Sequence, residues 1–187
     1  LKAELAEDGV VFLSETDTEV VAHLLARDFA AAGDGDLGSA MRRVVNRLQG
    51  AFTLVAVHAE APDVVVGARR NSPLVIGVGE GEAFLASDVS AFIAHTREAI
   101  EMGQDQVAEV YRDGSVKITT FGGEQVEGKR FHVSWDASAA EKGGYETFML
   151  KEIAEQPQAV AETLLGRVNG DGKLVLDEMR LSEAELR

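Results

Sequence analysis

The stretch from Ala51 to Ala86 most constrains the fold. It holds four short apolar runs: Ala51-Phe52-Thr53-Leu54-Val55-Ala56-Val57, Val64-Val65-Val66-Gly67-Ala68, Leu74-Val75-Ile76-Gly77-Val78 and Ala83-Phe84-Leu85-Ala86. Pro62-Asp63, Asn71-Ser72-Pro73 and Gly79-Glu80-Gly81-Glu82 separate them. Such connections are too short for a crossover helix, so the spacing predicts strands joined as an antiparallel meander. Several runs are apolar at successive positions instead of alternating, which requires cover on both faces of the sheet.

The rest of the chain must supply that cover. Val20, Val21, Leu24, Leu25 and Phe29 recur at helical spacing and predict a helix over about Thr18 to Ala32, stopped by Gly33-Asp34-Gly35. A second is expected from Asp36 to Leu48, with Leu37, Met41, Val44, Val45 and Leu48 on one face. Leu1 to Gly9 reads as the end of a helix stopped by glycine, and Val10 to Leu13 as a short buried strand. Further on, Ser87-Asp88 should cap a short helix over Val89 to His95. Glu98–Met102, Gln106–Tyr111 and Val116–Thr120 read as strands, the last two joined by a hairpin turn at Arg112-Asp113-Gly114-Ser115. Gly122 to Gly144, with Trp135, reads as a long surface connection. Helix returns at Tyr145 with Phe148, Met149 and Ile153 on one face, is interrupted at Pro157 and continues from Ala159 to Leu165. The expected class is α+β, with two helices over one sheet face and a second sheet over the other.

Composition excludes several functions. Lys and Arg number 18 against 32 Asp and Glu, a net charge of −14 over 187 residues. That balance disfavours nucleic acid and anionic membrane surfaces as partners. There is no cysteine, hence no disulfide, thiolate metal site or thiol nucleophile within these residues. No apolar run approaches a membrane span, which together with the missing disulfides suits a cytoplasmic location. Gly77-Val78-Gly79-Glu80-Gly81 lies between two strands instead of opening a helix, so it reads as a hairpin turn and not a phosphate loop. Asn169-Gly170-Asp171-Gly172 would place Arg167 where a calcium loop needs a carboxylate. His23, His58, His95 and His132 stand singly, so no metal site is expected, and no serine occupies a nucleophile elbow. Arg69-Arg70 reads as a solvated turn in preference to an anion site.

Ser14-Glu15-Thr16-Asp17-Thr18-Glu19 stands where the first long helix begins. Asp17 or Thr16 can cap the free backbone N–H groups there, and Glu19 suits the positive end of the helix dipole. The same position also suits Asp17 to a ligand cation such as an amino group. Pattern alone leaves both readings open.

Three stretches carry a resemblance. They are Ser14 to Val20, then Ala68-Arg69-Arg70-Asn71-Ser72-Pro73-Leu74-Val75-Ile76-Gly77 through Phe84-Leu85-Ala86-Ser87-Asp88, and then Tyr145 to Pro157, with Lys151-Glu152-Ile153-Ala154-Glu155-Gln156-Pro157 the most specific. Together they resemble the glutaminase domain of the isomerising glutamine–fructose-6-phosphate aminotransferases over about residues 1 to 165. The first two echo amidophosphoribosyltransferases more weakly. The resemblance implies an αββα sandwich of the N-terminal nucleophile hydrolase type, the class II glutamine amidotransferases, incomplete at its N-terminus. It implies glutamine as substrate, ammonia delivered to a separate isomerase domain that acts on fructose 6-phosphate, no cofactor, and a homodimeric parent enzyme. The aspartate of the Ser-x-Thr-Asp-Thr-Glu run holds the substrate's α-amino group in the family, and that role falls on Asp17. The family's Cys-Gly start, its Arg-Trp-Ala-Thr-His-Gly run and its Asn-Gly oxyanion pair are expected upstream of Leu1 and the isomerase domain downstream of Arg187. Residues 166–187 would then begin a linker. The expectation is a part of an enzyme with no catalytic residue of its own. The alternative is a binding or regulatory module that kept the fold.

Overall fold

A computed structural model describes residues 1–134, 143–165, 167 and 172. They fall in two compact units divided after Ala137. The first unit opens with helix α1 (Lys2–Glu7), followed by α2 (Asp17–Ala32) and α3 (Leu37–Val45). Gly33 ends α2 in the left-handed conformation at φ 64°, which a glycine takes without Cβ strain. Asp36 caps α3 by accepting from the Ser39 backbone N–H at 2.8 Å. Residues 46–48, expected as helix, form tight turns that prepare the chain for the first strand.

The strands are β1 (Phe52–His58), β2 (Ala61–Arg70), β3 (Val75–Val78), β4 (Ala83–Ala86), β5 (Glu98–Glu101), β6 (Gln106–Tyr111), β7 (Val116–Thr120), β8 (Gln125–Val126) and β9 (Lys129–His132). They form two sheets, one ordered β1-β2-β6-β7-β8 and one ordered β4-β3-β5-β9, with every pair antiparallel. The expected single meander is therefore corrected to two hairpins in different sheets, with the chain crossing between them at residues 71–74. Local spacing cannot distinguish these, because β2 finds its second neighbour in β6, far along the chain. Pro62 is no turn: it lies in the first part of β2, before the β6 pairing begins at Val64, where its missing N–H costs no ladder bond.

Strand alternation builds three cores. Val66 and Ala68 of β2 and Val107 of β6 face α2 and α3, burying Leu24, Leu25, Phe29, Met41 and Val44. Ala108, Val110 and Ile118 point the other way, meeting Leu74, Ile76, Ile100 and Met102 between the sheets. Val75, Phe84, Ala86 and Ala99 face outward from the second sheet under Phe92 and Ile93. A Cβ at Gly77 would stand 2.7 Å from the Phe92 ring, so only glycine lets that ring settle on the strand. The helix expected over Val89 to His95 is a single 3-10 turn (Val89–Ala91) capped by Asp88, followed by further turns that seat Phe92. The long connection expected from Gly122 carries β8 and β9; Trp135 lies outside the described residues.

One polar cluster pins α3 to its sheet. Glu109, 3% exposed, accepts from Arg42 at 3.1 Å, Lys117 at 3.0 Å and the Tyr111 hydroxyl at 2.7 Å. Burial, then the Glu109 carboxylate, pushes the Tyr111 phenol up to about 12. A Cβ at Gly38 would lie 2.3 Å from Glu109 Cδ, so α3 approaches the cluster only through a glycine.

In the second unit, helix α4 (Phe148–Leu164) is capped by the Thr147 hydroxyl, which accepts from Leu150 N–H at 3.1 Å. It runs unbroken through Pro157, so the expected interruption is absent: one missing N–H does not end the helix. The linker expected over 166–187 lies, apart from Arg167 and Gly172, outside the described residues.

Candidate functional site: the cleft at the start of α2

Residues 10–13 do not form the expected strand. Among the described residues no strand pairs with them, and only their alternate side chains reach the core. Val10 and Phe12 pack on the helical core, while Val11 and Leu13 are 75% and 91% exposed. What holds this segment is Glu19, one turn inside α2. Its carboxylate accepts from the Leu13 N–H at 2.7 Å, the Ser14 N–H at 2.8 Å and the Ser14 hydroxyl. The Leu13 and Ser14 donors pull the Glu19 carboxyl down to about 2. Glu19, expected to be a surface group at the helix start, is thus the brace of the loop.

That brace settles the capping question. Ser14 gives its hydroxyl proton to Glu19, so at the 2.8 Å contact between the Ser14 and Thr16 hydroxyls it is Thr16 that donates. Thr16 is the N-cap residue, yet its side chain makes no cap hydrogen bond. Asp17, the first residue of α2, makes none either, and its exposed carboxylate has no partner among the described residues. Of the two readings of Asp17, capping is absent from the structure, and the carboxylate stands available to a ligand.

Asp17 lines a cleft of about 400 Å³. Thr18, Val20 and Val21 continue the α2 side; Leu48, Gln49, Ala51, Phe52, Thr53 and Leu54 form the opposite wall, and Leu1 closes one end. The volume suits a small metabolite. A carboxylate facing apolar walls and one carboxamide can take an ammonium by charge-assisted hydrogen bonds while burying a short aliphatic stem. Sequence reasoning placed Asp17 but missed the wall of residues 48–54. Nothing local shows which helix start the loop after α3 will face.

Arg69 and Arg70 also differ from expectation. They end β2 and are half-buried instead of forming a solvated turn. Arg69 donates to the Met102 carbonyl at 2.6 Å, and Arg70 Nε donates to Asp105 at 2.7 Å. Each histidine meets a ring or a carboxylate instead of another histidine. Phe12 and Glu19 lie beside His23, Phe29 beside His58, Phe84 beside His95, and Glu98 beside His132. Among the described residues no group of acidic or histidine side chains could hold a metal ion. None of their helices is long and apolar enough to cross a membrane. A larger hollow of about 610 Å³ lies at an open end of the two sheets beside Lys117 and Arg130. Lys117 is already committed to Glu109 there.

The family model described as a glutamine amidotransferase domain matches residues 1–94, half of the chain and both walls of the cleft. This chain belongs to the glutamine amidotransferase domain family. Proteins named glutamine–fructose-6-phosphate aminotransferase (isomerizing) are similar to this chain over its whole length. The one from Streptomyces coelicolor is 68% identical over 187 residues. That of Corynebacterium diphtheriae is 59% identical over 187 residues, and that of Mycobacterium leprae 54% over 190. In each case the match takes in 100% of this chain and 30% of the relative. The amidotransferase chain therefore spans about 30% of the length of these relatives.

Proposed function

We propose that this chain is the glutamine-recognising part of an enzyme that hydrolyses glutamine and passes the ammonia to fructose 6-phosphate, giving glucosamine 6-phosphate. The observation that carries the reading is the Asp17 carboxylate, without a partner among the described residues, lining a small cleft. It would bind the α-ammonium of glutamine, which separates an amino acid from a simple amide, while the cleft walls take the side-chain methylenes. The names of the relatives support glutamine and fructose 6-phosphate as the reactants of an isomerising amino transfer.

In this reading the two sheets with α2 and α3 on one face belong to an αββα sandwich of the N-terminal nucleophile hydrolase type. Residues 1–165 would be amidotransferase domain and 166–187 linker. In the class II glutamine amidotransferases that this reading invokes, amide hydrolysis runs through a thiolate, and these 187 residues contain no cysteine. They supply recognition and not the nucleophile, so the 187-residue chain by itself is expected to release no ammonia from glutamine.

The test is glutaminase kinetics on the full-length protein. Asp17→Asn should lower kcat/KM for glutamine about 100-fold, as expected when a charge-assisted hydrogen bond to the substrate is lost. An unchanged KM would remove Asp17 from the site. Ammonia release by the isolated chain would overturn the division of labour.

A further inference from the structure

Arg70 sits directly behind the cleft wall. Its Nη1 donates to the Leu48 carbonyl at 3.0 Å, and its guanidinium carbon lies 5.5 Å from the Phe52 ring centroid and 5.0 Å from that of Phe121. Phe52 and Phe121 are near-parallel, 4° apart with centroids separated by 6.1 Å. Nε of the same side chain donates to Asp105 at 2.7 Å, and the side chain is 25% exposed. One planar cation thus joins both ends of the loop 48–52 to the β5–β6 turn.

That turn is held on the crossover between the sheets. The Asn71 N–H donates to Gln104 at 2.9 Å, and Arg69 donates to the Met102 carbonyl. Asn71 and Asp105 both take left-handed backbones, at φ 55° and 53°, so the two connections approach through unusual conformations. Leu48 and Phe52 line the cleft opposite Asp17, whereas Arg70 does not touch it.

We infer that Arg70 is a positioning residue for glutamine recognition, fixing Leu48 and Phe52 at the distance from Asp17 that the substrate requires. The inference rests on the reading of the cleft as a glutamine site. Arginine is needed because it can donate from two nitrogens in one plane while its face meets aromatic rings; lysine offers a point charge on a flexible stem. Moving a cleft wall weakens substrate and transition state together, and such a loss of uniform binding raises KM while leaving kcat unchanged.

The experiment measures glutamine KM and kcat, with the thermal midpoint, in the full-length protein. Arg70→Gln should raise KM about tenfold and leave kcat within about twofold, the pattern of lost positioning. Arg70→Lys should rescue little of this. Asp105→Asn keeps the left-handed backbone, which asparagine tolerates, and loosens the guanidinium; it should raise KM about threefold. An unchanged KM in folded Arg70→Gln overturns the inference, as does a lowered midpoint with KM intact. If Arg70→Gln fails to fold, Asp105→Asn decides on the same criterion. Asp17→Asn separates the two readings. KM raised by Asp17→Asn but not by the Arg70 variants discards the role of Arg70 alone, and KM unmoved by all of them discards the glutamine cleft as well.

Discussion

Two carboxylates on the helical side of the first sheet have opposite fates. Glu109 is buried and takes hydrogen bonds from an arginine, a lysine and a tyrosine. Asp17 is exposed at a helix start and takes none among the described residues, because Glu19 and Thr16 satisfy the loop before it. A charge under a helix has to be paired, or desolvation would displace it. The Asp17 charge stays exposed to solvent. The first carboxylate holds the fold, and the second is the one we propose for the ligand.

That contrast makes unequal demands on variants. Glu109→Ala strands Arg42 and Lys117 at a packed interface and should cost about 3 kcal/mol in denaturant unfolding. In the protein that remains folded, glutamine KM should not change. Gly38→Ala drives a methyl group against Glu109 and should cost about 2 kcal/mol by the same measurement, the range for overpacking. Asp17→Asn should move unfolding by less than about 0.5 kcal/mol, as an exposed unpartnered group does, while altering only binding.

Glu19 gives the comparison its pH dependence. Its carboxyl sits at about 2 in the folded chain against an ordinary 4.5, so between those values the unfolded chain binds more protons. Its contribution is complete above about pH 4.5 and is lost as the pH falls toward 2. Subtracting the stability curve of Glu19→Gln from that of the parent should give a difference that is flat above that window and shrinks through it. A flat difference throughout would mean that the loop is not braced by this carboxylate.

Much of the fold was legible where the determinants are local. The α2 stripe and its Gly33 stop, the α3 start at Asp36, the Asp88 cap, and the Gly79–Gly81 and Arg112–Ser115 turns all lie within a few residues of what they control. Failures came where a partner lies far away. Val10–Leu13 has strand composition but nothing to pair with, and β1 and β2 could not be separated from β3 and β4 without knowing that β6 pairs with β2. The site divides in the same way. Asp17 stood in a recognisable run, whereas Arg70 became meaningful only once Leu48, Phe52, Phe121 and Asp105 were brought around it.

The order of pairing also bears on how the chain assembles. β2 meets β6 only after β3, β4 and β5 have been laid down, so all of the second sheet except β9 lies inside the loop that the first must close. The β1–β2 and β3–β4 hairpins can form early and independently, but the centre of the first sheet waits for a long-range closure whose entropy no local contact offsets. Refolding should therefore be limited by β2–β6 docking, and the last amides to gain exchange protection should be those that bond β2 to β6. The cleft wall, carried on β1, becomes rigid only when that closure is complete.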